Sequence, residues 1–235
     1  TVRGCMAGGE TSSNVIDYIT IATAGNAIDF GDLTVARSVP AGMYDTTRGC
    51  FGAGQASGGD NNTIDYITIA TAGNATDFGN ATVARRQSAG VSDATRGCIC
   101  GGVEPGTYHD VIDYITIQST GNATDFGNLS VARRNLGGVS DATRGVIAAG
   151  GNDGGGTNII DYFTIQTTGN ATDFGNLTDS RATTGGVSDA TRGCFAGGDS
   201  SSNVIDYVTI LTTGNATDFG DLSVGRGSVS SGLAA

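Results

Sequence analysis

The chain has 235 residues, of which 40 are glycine and 2 are proline, and it contains no tryptophan. All 12 basic residues are arginine, and the formal net charge of −11 argues against a nucleic-acid partner, because binding to phosphate backbones depends on basic patches. No apolar run approaches the roughly 20 residues that a membrane-spanning helix needs, so we expect no membrane insertion.

A repeat of 45 to 48 residues fills the chain. The tripeptide Ile-Asp-Tyr recurs at spacings of 48, 48, 48 and 45 residues, and an arginine ends each copy. The motif Gly-Asn-Ala-Thr-Asp-Phe-Gly occurs four times, and the first copy has isoleucine in place of its threonine. A fixed period of this length is typical of proteins built from stacked structural units. We therefore interpret residues 1–235 as one domain of five units.

In chain order, each copy has the pattern of four short strands. In the fourth copy these cover 137–141, 143–151, 158–168 and 171–181. The third strand is rich in β-branched and aromatic residues and carries large apolar groups on both faces, which is typical of a strand buried on both sides. The Gly-Asn pair before the fourth strand predicts a two-residue hairpin turn with positive φ.

Four-stranded antiparallel sheets that are each buried between two like sheets predict an all-β fold, a five-bladed β-propeller. The first copy lacks a first strand of its own, and an extra segment, 227–235, follows the last copy. We expect this C-terminal segment to join the N-terminal blade as its innermost strand. The ring would then be closed, with no long exposed sheet edge.

Recurring aromatic and cysteine residues are the expected core. Four of the five cysteines follow an Arg-Gly pair, where the fourth copy has Val146, and a site that accepts either residue is typically small, buried and apolar. Cys98 and Cys100 lie two residues apart, but no second cysteine pair or histidine completes a zinc site. We expect a phenylalanine and a tyrosine of each copy to pack between blades: Phe30, Phe78, Phe126, Phe174, Phe219, Tyr18, Tyr66, Tyr114, Tyr162 and Tyr207.

Aspartate and arginine recur three residues apart, as in Asp141 and Arg144. This pattern favours local hydrogen-bonded pairs that tie one blade to the next. The alternative is a ring of carboxylates that holds Ca²⁺ in a central channel. The C-terminal segment has no aspartate at the equivalent place, so we expect no metal and no cofactor. The residues of this alternative ring are Asp45, Asp93, Asp141 and Asp189.

The loops between the second and third strands vary in every copy, and we expect all five on one face. Binding residues commonly lie on loops that a rigid scaffold positions. The third loop, 103–110, holds the single histidine of the chain and a tyrosine, a pair that could stack on and hydrogen-bond to a sugar ring. An ordinary solvated loop is the alternative. The binding candidates are Glu104, Tyr108, His109, Asp110, Asp60, Asn61 and Asp153.

Three resemblances accompany this pattern. Ala-Gly-Gly after the second strand, a tyrosine in the third and an arginine at the end of each copy resemble Kelch-type blades, although phenylalanine stands where Kelch repeats have tryptophan. The length and predicted blade count resemble five-bladed tachylectin-type lectins, whose sequence motifs are not visible. The segment IDYITIATAGNATDFGNATVAR at 64–85 is similar to repeats in virion structural or tail-associated proteins of marine tailed phages. This last resemblance implies a location on a virus particle.

The residues that catalysis needs are scarce, because the chain has one histidine, no lysine and no recognisable triad, zinc spacing or phosphate loop. We therefore expect a non-enzymatic structural or interaction module of a phage virion, in capsid decoration or in a tail fibre that attaches to the host. Its location would be the virion or the extracellular space, and its partners would be other virion proteins or a host-surface glycan. The alternatives are a lectin with several similar sites and a cellular Kelch-like protein-interaction domain.

Overall fold

The computed structural model of the protein describes residues 2–9 and 11–227. These residues form five antiparallel sheets and one short 3-10 turn at Asp199–Ser201, which confirms the predicted all-β class. No helix within the described ranges is long and apolar enough to cross a membrane.

The first two sheets contain the first copy and most of the second. The order of the first sheet is β1-β2-β3-β6-β7, in which β6 and β7 are a small hairpin from the second copy. Its strands are β1 (Arg3–Ala7), β2 (Ser13–Thr20), β3 (Ile28–Ser38), β6 (Gln55–Ala56) and β7 (Gly59–Asp60). The second sheet is ordered β4 (Ala41–Tyr44), β5 (Arg48–Gly52), β8 (Thr63–Thr68) and β9 (Thr76–Asn80).

The remaining three copies each form one sheet. The third sheet is ordered β10 (Ala89–Ser92), β11 (Arg96–Glu104), β12 (Thr107–Thr116) and β13 (Thr124–Asn128). In the fourth sheet, β17 pairs with three strands; its members are β14 (Gly137–Ser140), β15 (Arg144–Ala148), β16 (Gly151–Asn152), β17 (Gly155–Thr164) and β18 (Thr172–Arg181). The fifth is ordered β19 (Gly185–Ser188), β20 (Arg192–Ala196), β21 (Val204–Thr209) and β22 (Thr217–Asp221).

The strands predicted for the fourth copy are confirmed within a few residues, but the predicted hairpin turn is wrong. The turn after the third strand lies earlier, where the amide of Thr167 donates to the carbonyl of Thr164 at 2.9 Å. Gly169 and Asn170 follow it and lie along the outer strand of the preceding sheet, where Gly169 N donates to Phe126 O at 2.8 Å. The Gly-Asn pair therefore joins two sheets instead of reversing the chain.

The first strands of sheets two to five, which are β4, β10, β14 and β19, lie next to one another. Ser92 Oγ donates to the carbonyl of Tyr44 at 2.8 Å, and Ser140 Oγ donates to the carbonyl of Ser92 at 2.8 Å. A Cβ built on Gly90 would collide with the carbonyl oxygen of Gly42, so these strands can approach closely because both carry glycine there. The closing strand predicted at 227–235 lies outside the described residues except for Gly227.

Neighbouring sheets share their apolar cores. One core cluster unites Phe126 and Leu129 of the third sheet with Ile147, Phe163 and Ile165 of the fourth, and each other neighbouring pair of sheets has an equivalent cluster. The tyrosine ring of each Ile-Asp-Tyr meets the phenylalanine of the same sheet edge to face, with centroids 6.0 Å apart for Tyr114 and Phe126. The predicted packing between neighbouring sheets is observed for Phe30, Phe78, Phe126 and Phe174, but it is wrong for Phe219, which is 55% exposed because no neighbouring sheet covers it among the described residues.

The sheets are also joined by a buried ion pair that the sequence interpretation did not anticipate. Arg133 Nη1 lies 2.8 Å from Asp161 Oδ2 in the next sheet, and both side chains are fully buried. The amide of Ser130 donates to the same carboxylate, and Arg133 Nε donates to Ala149 O at 2.8 Å. The equivalent pairs at the other contacts are Arg37–Asp65, Arg85–Asp113 and Arg181–Asp206.

We call the contact between two successive sheets the sheet joint, and its components are the same at all four places. They are the buried phenylalanine, the Arg–Asp ion pair and the backbone bond that the glycine of Gly-Asn donates to the phenylalanine carbonyl. The glycine after the phenylalanine is required as well. Gly79 has φ +142°, and a Cβ on it would collide with Gly121 of the next sheet.

Candidate functional site

The five variable loops lie where the second strand of each copy meets the third. Contacts between neighbouring loops support their predicted position on one face, since Ser12 Oγ donates to Gln55 O at 3.2 Å and Tyr108 reaches Asp153. We call this surface the loop face, made of residues 8–9, 11–12, 53–62, 101–110, 149–156 and 197–203. Glu10 of the first loop lies outside the described residues.

The third loop is the longest ordered hairpin of the loop face. Strands β11 and β12 continue their pairing to Glu104 and Thr107, and a bulge between Cys100 and Gly102 shifts the register on the way. Gly106 in the turn has φ +82°, a conformation that glycine adopts without strain. The hairpin carries Tyr108 and His109 outward on successive positions of a strand, so they point to opposite sides.

Tyr108 connects the third loop to the fourth. Its hydroxyl donates to Asp153 Oδ1 at 2.6 Å, and the guanidinium carbon of Arg134 lies 5.6 Å from the centre of its ring. The hydrogen bond to Asp153 raises the pKa of the Tyr108 phenol above its ordinary value, because the neutral phenol is the donor. The structure thus brings together an aromatic ring, a carboxylate and a guanidinium from three different segments.

Glu104 and His109 lie on the same hairpin and form a second, weaker contact. Glu104 Oε1 is 3.4 Å from His109 Nε2, and the His109 side chain is 12% exposed. The geometry is not that of a hydrogen bond, since Nε2 has no hydrogen-bond partner in the part of the chain that the structure describes. The contact becomes an ion pair when His109 is protonated.

The other three loop candidates have structural roles. Asp60 receives two hydrogen bonds from Arg86 Nη1, at 2.7 and 2.9 Å. Asn61 Oδ1 accepts from the amide of Thr63 at 2.7 Å, which stabilises a local turn. Asp110 lies in β12, and its carbonyl accepts from the amide of Leu129 at 2.7 Å. Of the seven predicted residues, the structure groups Tyr108 with Asp153 and Glu104 with His109.

The four aspartates of the alternative metal ring are turn residues. Asp141 Oδ1 accepts from the amides of Thr143 and Arg144, both at 2.7 Å, and from Thr143 Oγ1 at 3.0 Å. Asp45, Asp93 and Asp189 repeat this arrangement. Burial alone would raise the pKa of Asp93, but hydrogen bonds from Arg96, Gln166 and Thr95 outweigh it and lower the pKa. No group of three or more His, Cys, Asp or Glu residues that could hold a metal ion occurs in residues 2–9 and 11–227.

The predicted Asp–Arg pairs are local, as expected, but they are made through the arginine backbone. The guanidinium of Arg144 instead lies 4.2 Å above the ring of Tyr162 and donates to Ile210 O of the next sheet at 2.9 Å. This cation–π contact recurs in all five sheets. Arg144 therefore ties one sheet to the next, as predicted, but it does so by a hydrogen bond to the backbone carbonyl of Ile210 and not through Asp141.

The cysteines are unsuited to nucleophilic chemistry. All five are free, and Cys50, Cys98 and Cys100 are buried in the cores between sheets. Burial raises the pKa of Cys50 and of Cys98 to about 12, so the reactive thiolate is scarce at neutral pH. The small, buried, apolar site predicted from the Cys/Val exchange is confirmed at Cys50, Cys98 and Val146, whereas Cys5 and Cys194 in the first and fifth sheets are only partly buried.

Sequence reasoning missed Arg86 and Arg134, the two arginines next to the closing arginine of their copies. Each reaches a variable loop: Arg86 contacts Asp60, and Arg134 lies against Tyr108. A signal was present, because these are the arginines that do not recur in every copy. Charged residues outside the repeat pattern are therefore the ones that mark the loop face.

A comparison with protein-family models finds no matching family, and a comparison with curated proteins finds no similar sequence.

Proposed function

We propose that the chain is a non-enzymatic binding and structural module in which the five sheets are blades of a β-propeller and the loop face is the binding surface. The observation that carries this proposal is the contact between Tyr108 and Asp153. It joins two variable loops into one partly exposed polar group on a scaffold whose sheet joint repeats at four places. Variation confined to one face is the arrangement that ligand binding needs.

The proposed setting is a phage particle, with the module on the capsid surface or in a tail fibre. Its support is the similarity of 64–85 to repeats of virion proteins from marine tailed phages. A turn-rich array of five sheets joined by four equivalent sheet joints would be a rigid carrier for the loops. The partners would be neighbouring virion proteins or the host surface.

Carbohydrate recognition is the second candidate, and the composition of the Tyr108 group favours it. The partly exposed ring of Tyr108 offers an apolar face to a sugar ring, while Asp153 and Arg134 beside it can hydrogen-bond to hydroxyl groups. Neutral glycans suit the surface because the group contains both charges. Glu104 and His109 extend the polar surface along the same hairpin.

Two measurements test the proposal. Antibody labelling of purified phage particles examines the location, and the chain must be found on the particle. A glycan array compares the wild type with Tyr108→Ala, and with Thr120→Ala as a control at the opposite end of the same strands. If the loop face binds glycans, Tyr108→Ala weakens binding by about tenfold or more and Thr120→Ala leaves it unchanged. Presence on the particle without glycan binding would favour the structural function, and absence from the particle would contradict the phage setting.

A further inference from the structure

Each sheet joint unites two different faces. The face that a sheet turns toward the next one carries the phenylalanine of Asp-Phe-Gly and the closing arginine, and we call it the donor face. The face that receives it carries the aspartate of Ile-Asp-Tyr and the apolar residues two and four positions later, and we call it the acceptor face. At the joint between sheets two and three, Phe78 and Arg85 meet Asp113, Ile115 and Ile117.

One donor face and one acceptor face have no counterpart among the described residues. The fifth sheet ends in a donor face with Phe219 and Arg226, and the first sheet begins with an acceptor face with Asp17, Ile19 and Ile21. Phe219 is 55% exposed, whereas the equivalent phenylalanine is 3% exposed in each of the other four copies. Such an exposed apolar group indicates an interaction surface.

The charged groups of the two end faces are likewise unpaired. Asp65, Asp113, Asp161 and Asp206 are fully buried against arginine, but Asp17 is partly exposed. The Arg226 side chain is exposed, although its backbone has the usual position, with its carbonyl accepting from Gly198 N at 3.0 Å. Neither side chain has a hydrogen-bond partner within residues 2–9 and 11–227. Opposite charges thus stand at matching positions of the two faces.

Within residues 2–9 and 11–227, these two faces do not meet. No hydrogen bond, ion pair or core cluster connects the described parts of the first and fifth sheets. The four joints have nearly identical geometry, with ion-pair distances of 2.7 to 2.8 Å and Gly–Phe backbone bonds of 2.7 to 2.8 Å. Identical local sequences therefore set one joint geometry at four places, and both end faces are uncovered in the part of the chain that the structure describes.

We infer that a second copy of this chain occupies the free faces, head to tail, through a fifth joint of the same kind. Arg226 of one copy pairs with Asp17 of the next, and Phe219 packs on Ile19 and Ile21. The guanidinium of Arg192, which is exposed above Tyr207, reaches the carbonyl of Ile21 as its equivalents do at the other joints. This inference rests on the repeated joint and does not depend on the proposed ligand or the phage setting.

The two faces differ, so the contact is heterologous and each copy keeps one free face after it has bound a partner. Such contacts produce a closed ring if the rotation allows it and a growing fibre if it does not. An assembly of either kind would place several loop faces on one particle, which raises avidity for a repeated ligand.

Sedimentation velocity over a range of concentrations tests the inference with two variants, Asp17→Arg and Arg226→Asp. Each variant has one faulty face and one intact face, and both changes lie at exposed or partly exposed positions. We expect the wild type to associate with rising concentration and each variant alone to associate at least about 100-fold more weakly, because two like charges then face each other in the joint. In an equimolar mixture of the two variants, the native Arg226 and Asp17 meet at one joint, and the two substituted side chains, which again carry opposite charges, meet at the next joint. The mixture should therefore regain association comparable to that of the wild type.

Thr120→Ala is the control and must associate like the wild type. Circular dichroism and melting curves of each variant check that the fold is intact. A wild type that stays monomeric up to high micromolar concentration would overturn the inference. In that case, the stability of the monomer would locate the pair. If the losses of stability for the two substitutions are not additive, Arg226 and Asp17 meet within the same chain. A mixture that associates no more strongly than either variant alone would overturn the inference as well.

Discussion

Replacement of Phe126 by alanine tests the sheet joint most directly. The ring is 3% exposed, its centroid lies 5.0 Å from that of Phe163 in the next sheet, and it meets Tyr114 edge to face at 6.0 Å. Removal of a buried phenylalanine side chain loses its transfer free energy and leaves a cavity, and together these lower the free energy of unfolding by about 3–5 kcal/mol. Urea denaturation followed by circular dichroism measures the change.

The chain supplies a matched control in the same motif. Phe219 occupies the equivalent position but is 55% exposed, so Phe219→Ala in dilute solution should lower the free energy of unfolding by about 1 kcal/mol or less. The contrast between the two variants is the essential result, since their immediate sequences are almost the same. Equal losses, or a loss below about 1 kcal/mol for Phe126→Ala, would refute the assignment of this phenylalanine to the joint.

Three further predictions concern charges and thiols. Arg133→Ala leaves Asp161 buried without its partner and should lower the free energy of unfolding by about 3–5 kcal/mol in the same urea assay, whereas Arg226→Ala in dilute solution should change it little. The pKa of Asp93 is lowered below its ordinary value of 3.8, so its ionised form stabilises the fold above that pH. This stability is lost as the pH falls through the folded-state pKa. The urea midpoint should therefore fall more steeply between pH 6 and 3 for the wild type than for Asp93→Asn. A colorimetric thiol reagent at pH 8 should leave Cys98 unreacted until the protein unfolds, and rapid modification of all five thiols in the native state would contradict the buried assignment.

Much of the fold can be predicted from the repeat alone. Strand positions in the fourth copy and the burial of Phe126 and Val146 follow from patterns that recur. Recurrence reports local constraints well, because each copy meets the same surroundings. The repeat does not predict which residues of different copies contact each other. The Arg133–Asp161 pair joins two copies, and nothing in one copy indicates which aspartate the arginine reaches.

The candidate site shows the same division. The third loop was identified from its composition, but the choice of Tyr108 and Asp153 as neighbours required the loops to be placed side by side. The sequence alone does not distinguish Arg134 from Arg133, the recurring arginine beside it. Arg133 enters the buried joint, whereas Arg134 turns to the loop face. Adjacent side chains of an extended chain point in opposite directions, so adjacent arginines acquire different roles.

By itself, the sequence determined the number of units, their strand order and the apolar residues of each, because hydrophobic alternation and chain spacing are local properties. The tertiary structure decided which polar groups meet. It turned the Gly-Asn pair from an expected hairpin turn into a contact between sheets, and it made Phe219 exposed in a motif that is buried four times elsewhere. The physical reason is that burial depends on what lies opposite a residue, and a residue at the end of an array has the same sequence as its equivalents but lacks their neighbour.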